Sequence, residues 1–223
     1  MRSIGGYRPG LDGIRALAVL AVAAYHAQLP HAGGGFLGVS LFFTLSGYLI
    51  TAILLDEHER TGTVDLKRFW VRRFRRLVPA ALLGLAVAVL FAATVASRSQ
   101  LDGLPGEVVA SAAYFANWFF AYTDQSYAEL FSSPSPVQHY WSLAIEEQFY
   151  VVMPLVLLGV LRLRQSVKLL LGVLLAAVGA SAIWMAVRYD GGASIDRLYY
   201  GTDTRAAELL TGSALAAFLH LIG

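Results

Sequence analysis

The chain contains no cysteine. That excludes disulfides, thiolate metal sites and a cysteine nucleophile, and it leaves the redox compartment unread. Charge is scarce as well: 14% of the 223 residues are Asp, Glu, Lys or Arg, against roughly 25% in a soluble domain. No glycine pattern of a dinucleotide fold or a phosphate loop occurs, and no basic patch suggests nucleic acid. In their place the chain is 57% hydrophobic, and its apolar residues arrive in blocks of membrane length, about 20 residues each. The composition predicts an integral membrane protein.

The blocks define an all-α, polytopic transmembrane bundle. Spans are expected at Leu11–Leu29, Phe36–Leu55, Leu77–Ala96, Tyr140–Leu161, Leu169–Val187 and Arg205–Ile222. A glycine-rich linker, Pro30–Gly35, follows the first, and a charged loop, Asp56–Arg76, follows the second. Val108–Tyr122 is apolar but short, about 22 Å as helix, and contains Asn117 and Trp118; it suits a re-entrant or interfacial segment. Polar loops are expected over Thr123–Gln138 and from Arg188 to about Asp203, with a basic linker at Arg162–Lys168. The reading is six spans and one short non-crossing segment.

Arg2 and Arg8 ahead of an apolar run imitate a signal peptide, but Arg15 interrupts the run and further spans follow, so it reads as a retained first span. With the N-terminus in the cytoplasm, all but Arg98, Arg188, Arg197 and Arg205 of the 17 basic residues lie inside. That arrangement satisfies the positive-inside rule only if Val108–Tyr122 does not cross.

Within this frame a few polar residues stand out. Arg15 and His26 are eleven residues apart in the first span, on one helix face and roughly 16 Å apart along the axis. Taken alone, Arg15 can snorkel to the interface and His26 can be a satisfied core histidine; ionisable groups inside a span also mark functional paths. Arg72, Arg73, Arg75 and Arg76 gather where the charged loop meets the third span. They read as a positive-inside stop or as a phosphate site, since guanidinium grips phosphate oxygens in pairs; Arg73 and Arg76 share a face. Glu146 and Glu147, adjacent near the outer end of their span, point about 100° apart, so at least one faces protein or a wet cavity. Ser46 and Gly47 in the second span permit close helix approach, and Thr202-Asp203-Thr204-Arg205 reads as a helix start. His31, His58, His139 and His220 are scattered among loops and ends and suggest no metal site.

In order along the chain, Leu11-Asp12-Gly13-Ile14-Arg15 with His26, Phe42-Phe43-Thr44-Leu45-Ser46-Gly47-Tyr48, Arg73-x-x-Arg76 before Pro79, Trp141-Ser142-Leu143-Ala144-Ile145-Glu146-Glu147-Gln148-Phe149-Tyr150 and Thr202-Asp203-Thr204-Arg205 together resemble integral-membrane acyltransferase family 3. Members O-acylate surface polysaccharides, peptidoglycan, lipopolysaccharide sugars and some secondary metabolites. The resemblance implies His26 as catalytic base or acyl carrier and Glu146 or Glu147 as its partner. It implies Arg15, Arg72, Arg73 and Arg76 as ligands of an acyl-CoA donor, most simply acetyl-CoA. Asp12, Ser46, Trp141, Tyr150, Asp203 and Arg205 are supporting residues, with Ser46, Trp141 and Tyr150 as oxyanion candidates. The acceptor is a hydroxyl of a glycan or small molecule, and no metal is implied. The expected location is the cell (inner) membrane. The family's domain usually carries more spans, so residues 1–223 read as one transmembrane domain incomplete at its C-terminus. Two other readings are a proton- or anion-coupled transporter relaying through Arg15, His26 and the glutamates, and a sensor or assembly subunit. The transporter reading would call for an inverted repeat of spans, and none is visible.

Overall fold

The computed structural model describes residues 9–95, 98–123, 135–164 and 166–223. Their secondary structure is helical: α1 (Pro9–His26), α2 (Leu37–Thr61), α3 (Leu66–Val95), α4 (Arg98–Ala112), α5 (Ala116–Tyr122), α6 (Tyr140–Arg164), α7 (Val167–Asp190), α8 (Ile195–Tyr200) and α9 (Thr202–Ile222). Among the described residues, α2, α3, α6, α7 and the α8–α9 stretch Ile195–Ile222 are long and apolar enough to cross a membrane. The expected first span is not among them. α1 has 18 residues and carries Asp12 and Arg15, and the backbone leaves the helix after His26, with left-handed residues at Gln28 and His31. Of the six expected spans, five thus coincide with helices of spanning length and composition, and the first with a shorter helix. Arg2, Arg8 and most of the polar loop expected over 123–138 lie outside the described residues.

The charged loop Asp56–Arg76 is corrected: most of it is helical, divided between the end of α2 and the start of α3 by a short turn. α2 continues to Thr61, with Arg60 paired to Asp56 at 3.1 Å. It ends only where Gly62 takes φ 75° and donates its N–H to the His58 carbonyl, 2.8 Å, the left-handed cap that glycine adopts without strain. Asp65 then starts α3 by accepting the Arg68 N–H on its side chain, 2.9 Å, as an N-cap does. Charge moves these turns out of hydrocarbon but does not break them, because Glu, Lys and Arg are good helix formers.

Two other stretches also differ from expectation. Val108–Tyr122 is not one segment: α4 and α5 meet at a junction where Tyr114 has φ 55° and the Phe115 N–H bonds back to the Ala110 carbonyl, 2.8 Å. The polar loop after α7 contains α8, capped by Ser194 accepting the Arg197 N–H at 3.1 Å, and α9 begins at Thr202 rather than Arg205.

By backbone packing the chain forms two compact units: one is the chain up to Val64 with Val152–Ala182 and Ala206–Gly223, the other Asp65–Val151 with Ile183–Arg205. In the first, α2 is the central element. Gly38 of α2 lies against Ala18 and Val22 of α1. Gly47 abuts the Leu209 carbonyl of α9, and Gly212 of α9 abuts the Thr44 carbonyl. Ser213 crosses this junction, donating to the Gly47 carbonyl at 3.2 Å. Tyr48, Ala52 and Ala216 form a cluster flanked by Leu11, Leu49 and Leu219.

In the second unit α3 runs antiparallel to the first part of α6. The Trp70 indole donates to the Tyr150 carbonyl at 3.0 Å, and the Tyr140 hydroxyl donates to the Ala81 carbonyl at 2.6 Å. α5 packs on α8, with Phe120 and Tyr200 fully buried and their rings 5.8 Å apart.

Candidate active site

Of the residues singled out in the sequence, Asp12, Arg15, His26 and Ser46 belong to the first unit. The second unit holds Arg72, Arg73, Arg76, Trp141, Glu146, Glu147, Tyr150, Asp203 and Arg205.

His26 is the last residue of α1 and is exposed. Its Nδ1 lies 2.8 Å from the Val22 carbonyl. A carbonyl can only accept, so Nδ1 carries the proton and the neutral ring keeps its lone pair on Nε2. The Tyr25 ring meets the imidazole edge-on at 5.5 Å. One side of the histidine is thereby fixed, and Nε2 can act as base or nucleophile. Arg15, half-buried, has Nη1 3.7 Å from Asp12 Oδ1, a long and weak pairing. Ser46 is buried beside Gly47, where the helices cross.

In the second unit, Arg73 is half-buried, its guanidinium 4.7 Å from the Tyr150 ring centroid and 5.9 Å from that of Phe69. The Tyr150 hydroxyl donates to Glu146 Oε2 at 3.0 Å. Arg73 also lies within electrostatic reach of Arg76, Glu146 and Glu147. Glu147 is only 6% exposed, and its Oε1 has no hydrogen-bond partner. Arg72 and Arg76 remain exposed. The sequence reading had set the glutamates near the outer end of their span and the arginines at the opposite, loop end of theirs. In the structure Arg73 instead lies against Tyr150 and within electrostatic reach of Glu146 and Glu147.

A ring of hydrogen bonds borders this cluster. Asn117, fully buried, donates to Thr202 Oγ1 at 2.9 Å. Thr202 donates to Gln148 Oε1 at 2.6 Å, and Gln148 Nε2 donates to Asn117 Oδ1 at 2.9 Å and to the Tyr114 carbonyl at 3.0 Å. The loop thus closes on itself and joins α5, α6 and α9. Burial, reinforced by the charge of Glu147, holds the Tyr114 phenol above its usual range.

Asp203 does more than begin a helix. It binds Arg197 through both oxygens, at 2.9 and 2.7 Å, and accepts from the Trp184 indole at 2.7 Å. The Arg197 guanidinium also sits 4.9 Å from the Trp118 ring centroid. Arg205 lies over Tyr199 and Trp141, at 5.0 and 5.8 Å. Asp203, Arg205 and Trp141 therefore have structural work in fixing the α8–α9 corner.

Sequence reasoning missed Arg197, Gln148 and Glu208. Glu208 accepts a hydrogen bond from Ser40 at 3.1 Å, linking α9 to α2. The available signals were a carboxylate inside an otherwise apolar span, and Asn117, a polar residue that needs a buried partner. Among the described residues no group of His, Asp and Glu is placed to hold a metal.

Among the described residues, five helices long and apolar enough to cross a membrane, with arginine–carboxylate clusters in the second unit, mark an integral membrane protein. The profile of the acyltransferase domain family matches residues 8–222, and the chain belongs to that family. It is 48% identical to the peptidoglycan O-acetyltransferase OatA of Listeria monocytogenes over 210 residues, 94% of this chain and 34% of that protein. It is 47% identical to the putative peptidoglycan O-acetyltransferase YrhL of Bacillus subtilis, over 94% of this chain and 33% of that protein. A putative O-acetyltransferase of Staphylococcus aureus is 41% identical over 94% of this chain and 34% of its own length. The chain spans about a third of the length of these curated relatives. No solved structure matches it.

Proposed function

We propose that this chain is the membrane part of an O-acyltransferase that moves an acyl group, most simply acetyl, from acyl-CoA to a hydroxyl of a cell-envelope glycan such as peptidoglycan. The observation that carries the proposal is His26, with Nδ1 committed to the Val22 carbonyl, in a chain whose relatives are named O-acetyltransferases. In the direct form, Nε2 takes the proton of the acceptor hydroxyl, whose oxygen attacks the thioester carbonyl. The C–S bond breaks, and the thiolate leaves and takes up that proton. In the two-step form Nε2 itself attacks the thioester carbonyl, the C–S bond breaks and the thiolate leaves. The acceptor oxygen then takes the acyl group as the N–C bond breaks, and the hydroxyl proton passes to the thiolate. An imidazole can serve in either role.

Arg15 and the exposed Arg72 and Arg76 supply positive charge for the donor's phosphates. Glu146 or Glu147 is the acidic group from which a partner for the histidine would come, and Ser46, Trp141 and Tyr150 are the groups from which an oxyanion donor would come. The protein sits in the cell membrane with its N-terminus in the cytoplasm, where CoA is made. The test is release of free CoA from acetyl-CoA by purified protein in lipid, with and without a peptidoglycan fragment. Turnover stimulated by the fragment is expected. Its absence, both here and in a longer protein supplying further spans, would overturn the proposal.

A further inference from the structure

Glu147 is a described carboxylate of the second unit that is buried with one oxygen lacking a hydrogen-bond partner. Glu146 accepts from Tyr150, and Asp203 accepts from Arg197 and Trp184. Glu147 is more deeply buried than either, at 6% exposure, yet its Oε1 accepts nothing. Buried carboxylate oxygens rarely go unpaired, because the lost hydration is not returned. The missing donor has a definable chemistry. Arg73 and Arg76 on one side and Glu146 and Glu147 on the other lie within electrostatic reach, so the cluster already holds groups of both signs. An added cation would meet Arg73, and a phosphate would meet both carboxylates. A neutral group bearing an N–H or O–H fits. Arg73 is moreover engaged by the Tyr150 ring at 4.7 Å, which favours a planar guanidinium held in place over one reaching for an incoming phosphate.

We propose that Glu147 Oε1 accepts a hydrogen bond from a neutral N–H or O–H of the substrate, with Arg73 as its fixed counter-charge instead of a phosphate clamp. This rests on the acyltransferase reading, under which two sources share the chemistry: the amide N–H groups of the donor's pantetheine arm and the hydroxyls of the acceptor sugar. Glu147 is then a binding residue for a part of the substrate that carries no charge.

The experiment is equilibrium binding of two unreactive probes, pantetheine and a peptidoglycan disaccharide, to the full chain in lipid nanodiscs. One probe should bind the parent and weaken about tenfold on Glu147→Leu, the scale of one hydrogen bond to a charged group, while Glu147→Gln, which keeps a carbonyl acceptor, recovers most of it. Loss confined to pantetheine places the donor arm at Glu147, and loss confined to the disaccharide places the acceptor there. Arg73→Leu should weaken coenzyme A no more than pantetheine. The proposal is overturned if neither probe binds the parent, if Glu147→Leu leaves both unchanged, or if Arg73→Leu selectively weakens coenzyme A. Should Glu147→Leu misfold, the carboxylate infrared band that Glu147→Gln abolishes is followed as each probe is added; a band that moves supports the assignment and an unmoved band refutes it. Acetyl-CoA turnover by the parent, measured in parallel, reports separately on the acyltransferase reading.

Discussion

Gly47→Ala is the substitution to which the first unit should be most sensitive. The new methyl would fall on the Leu209 carbonyl oxygen, 2.7 Å from the Leu209 carbonyl carbon and 3.1 Å from its Cα, where unstrained carbon contacts sit at about 3.5–4 Å. Those atoms are helix backbone, so no side-chain rotation relieves the clash. α9 must withdraw by roughly 1 Å, a shift that overpacked cores charge about 1–3 kcal/mol for. The Ser213 bond to the Gly47 carbonyl, already 3.2 Å, is lost with the movement, adding about 1 kcal/mol. The sum, about 3 kcal/mol, lowers the unfolding midpoint by roughly 6–12 °C for a chain of this size. Gly212→Ala meets the Thr44 carbonyl and the Tyr48 nitrogen, the latter at 2.7 Å, and should cost about as much. Because both methyls open one crossing, the double variant should fall short of additivity by about 1–2 kcal/mol. Gly172, with open space around its Cβ position, is the control. The assay is thermal unfolding in nanodiscs. A Gly47→Ala midpoint within about 2 °C of the parent, less than the smallest shift reckoned above, or a Gly172→Ala variant as damaged as Gly47→Ala, would refute the reasoning.

Other substitutions have equally definite outcomes. Asp203→Ala leaves the Arg197 guanidinium, 8% exposed, without its counter-ion; because Asp203 is about a third exposed, the cost should be near the lower end of the range for broken buried pairs, about 3 kcal/mol. Adding Arg197→Ala should cost less than the sum by about 1–2 kcal/mol in a double-mutant cycle, and strict additivity would show that the pair is not coupled. Asn117→Leu keeps the volume but removes three hydrogen bonds of a fully buried side chain, and should cost about 2 kcal/mol by chemical unfolding; an unchanged midpoint would mean the ring is decorative.

The helical class and the positions of the apolar elements were readable because hydrophobic blocks of membrane length have few other uses. The close approach at Gly47 was readable too, since a small residue beside Ser46 in a span is a packing signal. What escaped was anything decided by partners distant in sequence. Asp203 looked like a cap because its capping signal is local, whereas Arg197 is recruited by the α8 turn, which polar composition disguised as loop. The Asp56–Arg76 stretch was misread because charge marks where a helix leaves hydrocarbon, not where it stops; Gly62 and Asp65 were the true punctuation. Tyr114 broke the 108–122 segment through a left-handed backbone that no tyrosine advertises. The neighbourhood of Arg73 escaped as well: helix pairing through Trp70 and Tyr140 puts it alongside Tyr150. The pairing of His26 with a partner was suggested by motif order alone.

The most direct test of the account is acyl transfer from labelled acetyl-CoA by lipid-embedded protein, parent against His26→Ala and His26→Gln, with folding confirmed by an unchanged unfolding midpoint. The account predicts loss of at least about a hundredfold in kcat, the lower scale of general-base catalysis, in both variants, since neither side chain can take a proton or carry an acyl group. Transfer at the parental rate in the folded His26→Ala protein would contradict it.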